Sequence, residues 1–360
     1  MPLFKAWRNK VAEELADQLS SPFDPESPFQ DYYFDPDGRT LLDAMLSADP
    51  QLTIPSRPSL RQAVCDRAAL ESSELGGAFR AWNGETIAEL FRAALDIVVD
   101  HCRTENNKEP AVVGFKEVWT LEFASPLAKA FPEARFLVIH RDPRAIIASL
   151  IAMMEKDPSQ AAHTVSYMRH WRKNVAIAHY LANIPQLAGR VMSLRFEDLV
   201  SQPEPMLRTV CDFIGLPFDN AMLTPGLDEQ WKGNSSFGTM KSGFDAAVAH
   251  HWRDRLASNI VDTVEYHCGP EMDTVGYAPS NPVDGLSNTV RQYVLEANQH
   301  PGKWRSDSGD IYTTLDWEKR RWELLASSAS ETKEIQAGFL FESFFKTIIN
   351  ENSPRQTGTL

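Results

Sequence analysis

Arg141 stands directly after the run Phe136-Leu137-Val138-Ile139-His140, and Asp142-Pro143-Arg144 follow it. Ser149 lies eight positions beyond the arginine. A guanidinium is planar, permanently charged and carries a fork of donors that matches phosphate oxygens. A serine hydroxyl about two helical turns further on, at ~3.6 residues per turn, supplies another donor. The chemistry offered is the binding of a phosphate beyond the carboxyl end of a strand, where open parallel sheets take their ligands. The competing reading is an Arg141–Asp142 pair at the surface, with Ser149 an ordinary helix serine.

The surrounding elements decide where these groups sit. Arg135 to His140 reads as a strand, continuous rather than alternating, as for a strand buried on both faces of a parallel sheet. Ala145 to Met154 reads as the helix that follows it. Arg190 to Phe196 is a further buried strand, with a helix from Pro205 to Phe213 after it. Earlier in the chain, Asp31 to Phe34 reads as a short strand, Asp35 to Gly38 as a turn and Thr40 to Leu46 as a helix. Glu85 to Cys102, Pro126 to Ala130, Ala161 to Leu181 (carrying Trp171) and His251 to His267 have helical spacing. Residues 225–245 and 278–312 read as loop, and Trp317 to Asn350 as a closing helical segment.

Strands alternating with helices predict βαβ units and a parallel sheet. The expected fold class is α/β, a three-layer α/β/α arrangement with a central parallel sheet and a helical C-terminal extension. Residues 1–30 form an N-terminal helical segment, 31–277 the α/β domain and 278–360 the extension packed on it.

Three segments, in order, resemble the sulfotransferases that use 3′-phosphoadenosine 5′-phosphosulfate. The strand with Arg141-Asp142-Pro143-Arg144 and Ser149 is similar to that family's 3′-phosphate motif. Ser193-Leu194-Arg195-Phe196-Glu197-Asp198-Leu199, followed by Phe213-Ile214-Gly215-Leu216-Pro217, resembles its next strand, turn and helix end. Trp231-Lys232-Gly233-Asn234-Ser235-Ser236-Phe237 is similar to the late loop that closes over the nucleotide in bacterial members. The resemblance covers roughly residues 30 to 277.

The resemblance implies a P-loop sulfotransferase fold. It also implies in-line transfer of a sulfuryl group to a hydroxyl or amine of a small-molecule acceptor, leaving adenosine 3′,5′-bisphosphate. Arg141 and Ser149 would hold the 3′-phosphate, Phe196 would stand near the adenine, and Lys232, Gly233 and Asn234 would close over the nucleotide. The family's phosphosulfate loop falls on Pro36-Asp37-Gly38-Arg39-Thr40. Its basic residue comes after the glycine and an aspartate stands before it, so the loop is degenerate. Gly38, Arg39 and Thr40 remain to cradle the 5′-phosphosulfate. The transfer also needs a cation on the leaving phosphate and a proton acceptor. Lys116, at the end of the family's second core strand, fills the first role. Val118 stands where many members carry histidine, so Glu117 is the candidate base, against an exposed loop carboxylate. No metal is required. The alternative is a degenerate member that binds a ligand, or catalyses another reaction, without sulfating. A P-loop kinase is disfavoured because the chain has no GxxxxGK[ST] segment.

The chain of 360 residues carries 36 basic and 49 acidic side chains, a net charge of −13. That balance speaks against broad nucleic-acid binding and requires any anion site to be a focused cluster. Cys65, Cys102, Cys211 and Cys268 are scattered and form no CxxC pair, which fits neither a zinc site nor a disulfide framework. No stretch approaches the ~20 apolar residues of a membrane span. The first residues lack the apolar core of a secretory signal. A cytoplasmic protein without a membrane partner is expected. The aromatic run Phe339 to Phe345 reads as a core helix, with a homodimer surface as the alternative.

Overall fold

The computed structural model describes residues 2–19, 36–55, 57–106, 109–117, 120–157, 164–224, 244–280, 287–298, 311–327 and 332–352. The chain divides into two compact units, Met1–Ser27 with Arg39–Arg135, and Pro28–Gly38 with Phe136–Leu360.

The first unit is helical: α1 (Pro2–Glu14), α2 (Pro36–Ser47, whose first residues fall to the other unit), α3 (Pro58–Ala69), α4 (Ser73–Ala78), α5 (Ile87–Asn106) and α6 (Ala124–Ala130). In α5 the apolar residues recur three and four apart, and Ile87, Leu90 and Phe91 are buried. The core is aromatic. Trp7 stacks on Phe123 with ring centroids 4.2 Å apart, and Phe4 meets Phe91 edge-on at 5.1 Å.

Two expectations change in this unit. Pro36 is the first residue of α2, a position where its missing N–H removes no helical hydrogen bond, so residues 36–38 of the turn predicted at 35–38 are helical. Residues 111–117 form no strand. A strand needs a neighbour to pair with, and among the described residues this run has none; Val112 and Phe115 are each 49% exposed. The strand expected at Asp31–Phe34 lies outside the described residues.

The second unit holds β1 (Phe136–His140), α7 (Pro143–Lys156), α8 (Thr164–Asn183), β2 (Val191–Arg195), α9 (Phe196–Ser201) and α10 (Pro203–Ile214). β1 and β2 pair in parallel, from Phe136 opposite Val191 to His140 opposite Arg195, joined by a helical crossover. The fold class is α/β. β1 does not have two buried faces: Phe136, Val138 and His140 are buried, whereas Leu137 is 40% and Ile139 53% exposed. An unbroken apolar sequence thus serves a strand packed on one side.

Among the described residues the unit also holds five longer helices: α11 (Ser258–Thr274), α12 (Asn288–Asn298), α13 (Ile311–Ala326), α14 (Thr332–Phe339) and α15 (Glu342–Asn352). α11 is buried on all sides from Thr263 to Met272 and forms the centre of the unit. Val165 of α8, Tyr266 of α11, Val290 and Val294 of α12 and Leu315 of α13 make one cluster. The predicted 278–312 loop therefore contains a helix, α12. The predicted closing segment is three helices, with Leu340 at φ 62° between the last two. Phe339, Leu340, Phe344 and Phe345 are buried.

Ion pairs tie these helices together. Arg172 of α8 grips Glu318 of α13 through both guanidinium ends, at 2.6 and 2.9 Å, and donates to the His267 carbonyl at 2.8 Å. Arg321 pairs with Glu271 and donates to the Gly338 carbonyl at 3.0 Å. All four side chains are buried. Among the described residues no helix is long and apolar enough to cross a membrane.

Candidate functional site

β1 ends at His140, and the chain turns at once into α7. The turn forms because Asp142 caps the helix: its carboxylate accepts the Arg144 N–H at 2.9 Å, with Pro143 at the first helical position. The same carboxylate is gripped by the Arg144 guanidinium, Nε at 2.9 Å and Nη2 at 2.7 Å. Arg144 also reaches Glu265 at 2.7 Å and lies 4.2 Å from the Trp252 ring centre. All of this is buried. An Arg141–Asp142 surface pair is therefore not what holds the turn; Arg144 engages the carboxylate.

Arg141 is half-buried and lies over the Phe196 ring, 4.9 Å from its centre. Its Nε is buried without a hydrogen-bond partner among the described residues. Burial lowers the Arg141 pKa, and the Glu197 and Asp142 carboxylates oppose that shift. The guanidinium stays charged. A desolvated cation with an unused donor beside an aromatic face suits an anion attached to a flat ring. Ser149 is half-buried on α7.

Several contacts fix the arginine's surroundings. The Arg141 carbonyl accepts from Trp171 Nε1 at 2.9 Å. The Asp142 N–H donates to Glu197 Oε1 at 3.0 Å, and the other oxygen of that carboxylate accepts from the Tyr277 hydroxyl at 2.5 Å. Burial, with the Glu197 carboxylate alongside, pushes the Tyr277 phenol well up. Arg195, the last residue of β2, donates to the Gly276 carbonyl at 2.8 Å and stacks 4.6 Å from the Tyr277 ring centre. Gly276 has φ +74°, and a Cβ there would stand 3.1 Å from the Arg195 Nη1. Buried His140 is held down to about 4 by desolvation.

The other sequence-predicted residues divide between the units. Gly38, Arg39 and Thr40 are in the first turns of α2. The Arg39 fork is on Asp43 one turn later, at 2.9 and 2.8 Å. Lys116 is exposed and Glu117 half-buried in the irregular segment after residue 110. The Glu117 carbonyl accepts from Thr120 Oγ1 at 2.9 Å. Of the predicted set, the second unit brings Arg141 and Phe196 into contact. Lys232, Gly233, Asn234 and Val118 lie outside the described residues. Sequence reasoning missed Trp171, Glu197 and Tyr277 as supports of the turn. Glu197 stood inside a recognised motif, but nothing in its spacing says that it accepts a main-chain N–H from a residue 55 positions away.

Comparison with known proteins places these features in a family. A family model described as "Sulfotransferase family" matches residues 38–220. Protein-tyrosine sulfotransferase 1 of Danio rerio is 29% identical over 199 residues, covering 52% of this chain and 52% of that protein. Carbohydrate sulfotransferase 3 of Homo sapiens is 25% identical over 214 residues, covering 53% of this chain and 43% of that protein. The chain spans about half the length of the curated relatives it matches. A solved sulfotransferase domain from the curacin biosynthetic pathway aligns with TM-score 0.37 and 15% identity, covering 72% of this chain and 84% of that one. The family match takes in half of the chain, including both strands and the Arg141 turn between them, and the chain belongs to the sulfotransferase family.

Proposed function

We propose that this chain transfers a sulfuryl group from 3′-phosphoadenosine 5′-phosphosulfate to a hydroxyl or amine of a small-molecule acceptor. The observation that carries the reading is Arg141, a half-buried cation whose Nε has no hydrogen-bond partner among the described residues, seated over Phe196 where β1 ends. Arg141 and Ser149 hold the 3′-phosphate and Phe196 lies by the adenine. Lys232, Gly233 and Asn234 close over the nucleotide, and Gly38, Arg39 and Thr40 meet the 5′-phosphosulfate. Lys116 stabilises the leaving phosphate while Glu117 takes the acceptor's proton. The catalytic region runs over residues 31–277, with 278–360 as its extension. The names of the relatives, which specify a protein tyrosine and carbohydrate, support a hydroxyl acceptor. Four free cysteines support a reducing, cytoplasmic setting.

A second reading is a degenerate family member that binds a ligand, or catalyses another reaction, without sulfating. It is favoured by the helical start of α2 and by the Arg39 fork on Asp43, which leave less of a loop to cradle phosphosulfate. Titration calorimetry with adenosine 3′,5′-bisphosphate tests the nucleotide site. Binding near the micromolar range that disappears in Arg141→Ala is expected, and a natural protein that binds nothing overturns the first reading in favour of the second. Transfer of labelled sulfate from the donor to an acceptor panel then separates the first reading from the second.

A further inference from the structure

The peptide group joining Arg141 to Asp142 is held at both polar ends. Its C=O accepts from Trp171 of α8 at 2.9 Å, and its N–H donates to Glu197 of α9 at 3.0 Å. A peptide is planar. Fixing both its carbonyl and amide directions therefore sets the backbone angle leaving Arg141 and the one entering Asp142, which has φ −49°. The direction in which the arginine side chain leaves the turn follows from those angles. Neither tie is needed to start α7, which Asp142 already caps with its own side chain. Neither belongs to the strand ladder, which ends at His140 opposite Arg195. Glu197 is itself immobilised, since Tyr277 donates to its second oxygen.

Resting on the reading of Arg141 as a nucleotide ligand, we propose that Trp171 and Glu197 are positioning residues that aim Arg141, with Tyr277 holding Glu197 in place. They touch no phosphate. They act by keeping the 141–142 peptide in one orientation, so the arginine is preorganised before the anion arrives. Their loss costs nucleotide affinity rather than the chemical step.

The test uses Trp171→Phe, which keeps a ring and removes the donor, together with Glu197→Gln and Tyr277→Phe. Two quantities are read on each: hydrogen exchange at the Asp142 amide, and the Kd for adenosine 3′,5′-bisphosphate. For Trp171→Phe and Glu197→Gln we expect the Asp142 amide to exchange faster while the amides of β1 and the middle of α7 keep their natural rates. The Kd rises about tenfold, the size of one lost hydrogen bond in a buried site. In turnover, donor KM rises and kcat stays near its natural value. A purely structural role would instead speed exchange across β1 and α7 together. If Arg141→Ala abolishes binding but Trp171→Phe binds like the natural protein, the nucleotide reading stands and this inference alone falls. If the natural protein binds no nucleotide, the reading of Arg141 falls first and takes the inference with it. Should Glu197→Gln not fold, Trp171→Phe and Tyr277→Phe carry the same measurements.

Discussion

Asp142 serves two groups with one carboxylate, the first turn of α7 and the fork of Arg144. Asp142→Ala opens the cap and takes from Arg144 one of its two buried carboxylates, leaving it Glu265, the Ala278 carbonyl and the Ser280 hydroxyl. A loss of about 3 kcal/mol is expected, combining a cap with a partly broken buried pair, and the urea midpoint reads it. Glu117→Gln should behave differently. On the proposed function, turnover should fall about a hundredfold, as for loss of a general base, while nucleotide affinity holds. His140 gives a pH signature. Burial holds its pKa to about 4 against an ordinary value near 6.5, so between those values the unfolded chain binds the extra proton. Its contribution to stability is full above about pH 6.5 and is lost as the pH falls toward 4. His267, also held to about 4, adds to the same slope, so His140→Gln should flatten the acid limb in part. At this scale the sequence named Arg141 and Phe196 for one site, and the structure brings the two into contact. The Arg39–Asp43 pair was not read, because partners four apart meet on a helix face and the helix was expected to begin only at Thr40. Nor was the second carboxylate on Arg144, since Glu265 reaches that arginine from 121 positions away.

Most helices with clear apolar spacing emerged where the sequence put them, and so did both strands of the second unit; the helix expected over His251–His267 runs instead from Ser258 to Thr274. α12 was missed because its flanks are rich in Asn, Gly and Asp, although buried Val290 and Val294 stand four apart. The apolar run at 111–116 shows the opposite error: a strand is a property of a pair, and composition cannot supply the partner. Pro36 was ambiguous, because proline opens turns and helices alike. α10 offers a test of how an element is closed. Its cap Gly215 has φ 77°, and the Leu216 N–H returns to the Cys211 carbonyl at 2.9 Å. Gly215→Val should cost about 1–2 kcal/mol, because a β-branched side chain is strained in the left-handed region. A thermal melt reads that loss, and nucleotide binding should be unaffected.

Across the whole molecule, a net charge of −13 coexists with an arginine-rich interior in the second unit. Burial alone would raise the Glu318 pKa, but Arg172, His267 and Arg321 outweigh it and hold that carboxylate well below its usual range. Glu318→Ala leaves Arg172 buried without its bidentate partner. The expected cost is about 3–5 kcal/mol by urea unfolding, and the double variant with Arg172→Met should recover part of it. The sequence did not announce this arrangement, because a buried Arg or Glu reads like a surface one until its partner is known. The two partners are 146 positions apart. At ~5–20 residues per second a ribosome needs roughly 7–30 s to travel from one to the other. Throughout that interval the arginine of α8 has no glutamate to receive it and is better left in water. The middle of the second unit therefore has to stay open until its last helices are made, and a nascent chain stalled before Glu318 would offer chaperones an exposed, uncompensated cation rather than a finished core.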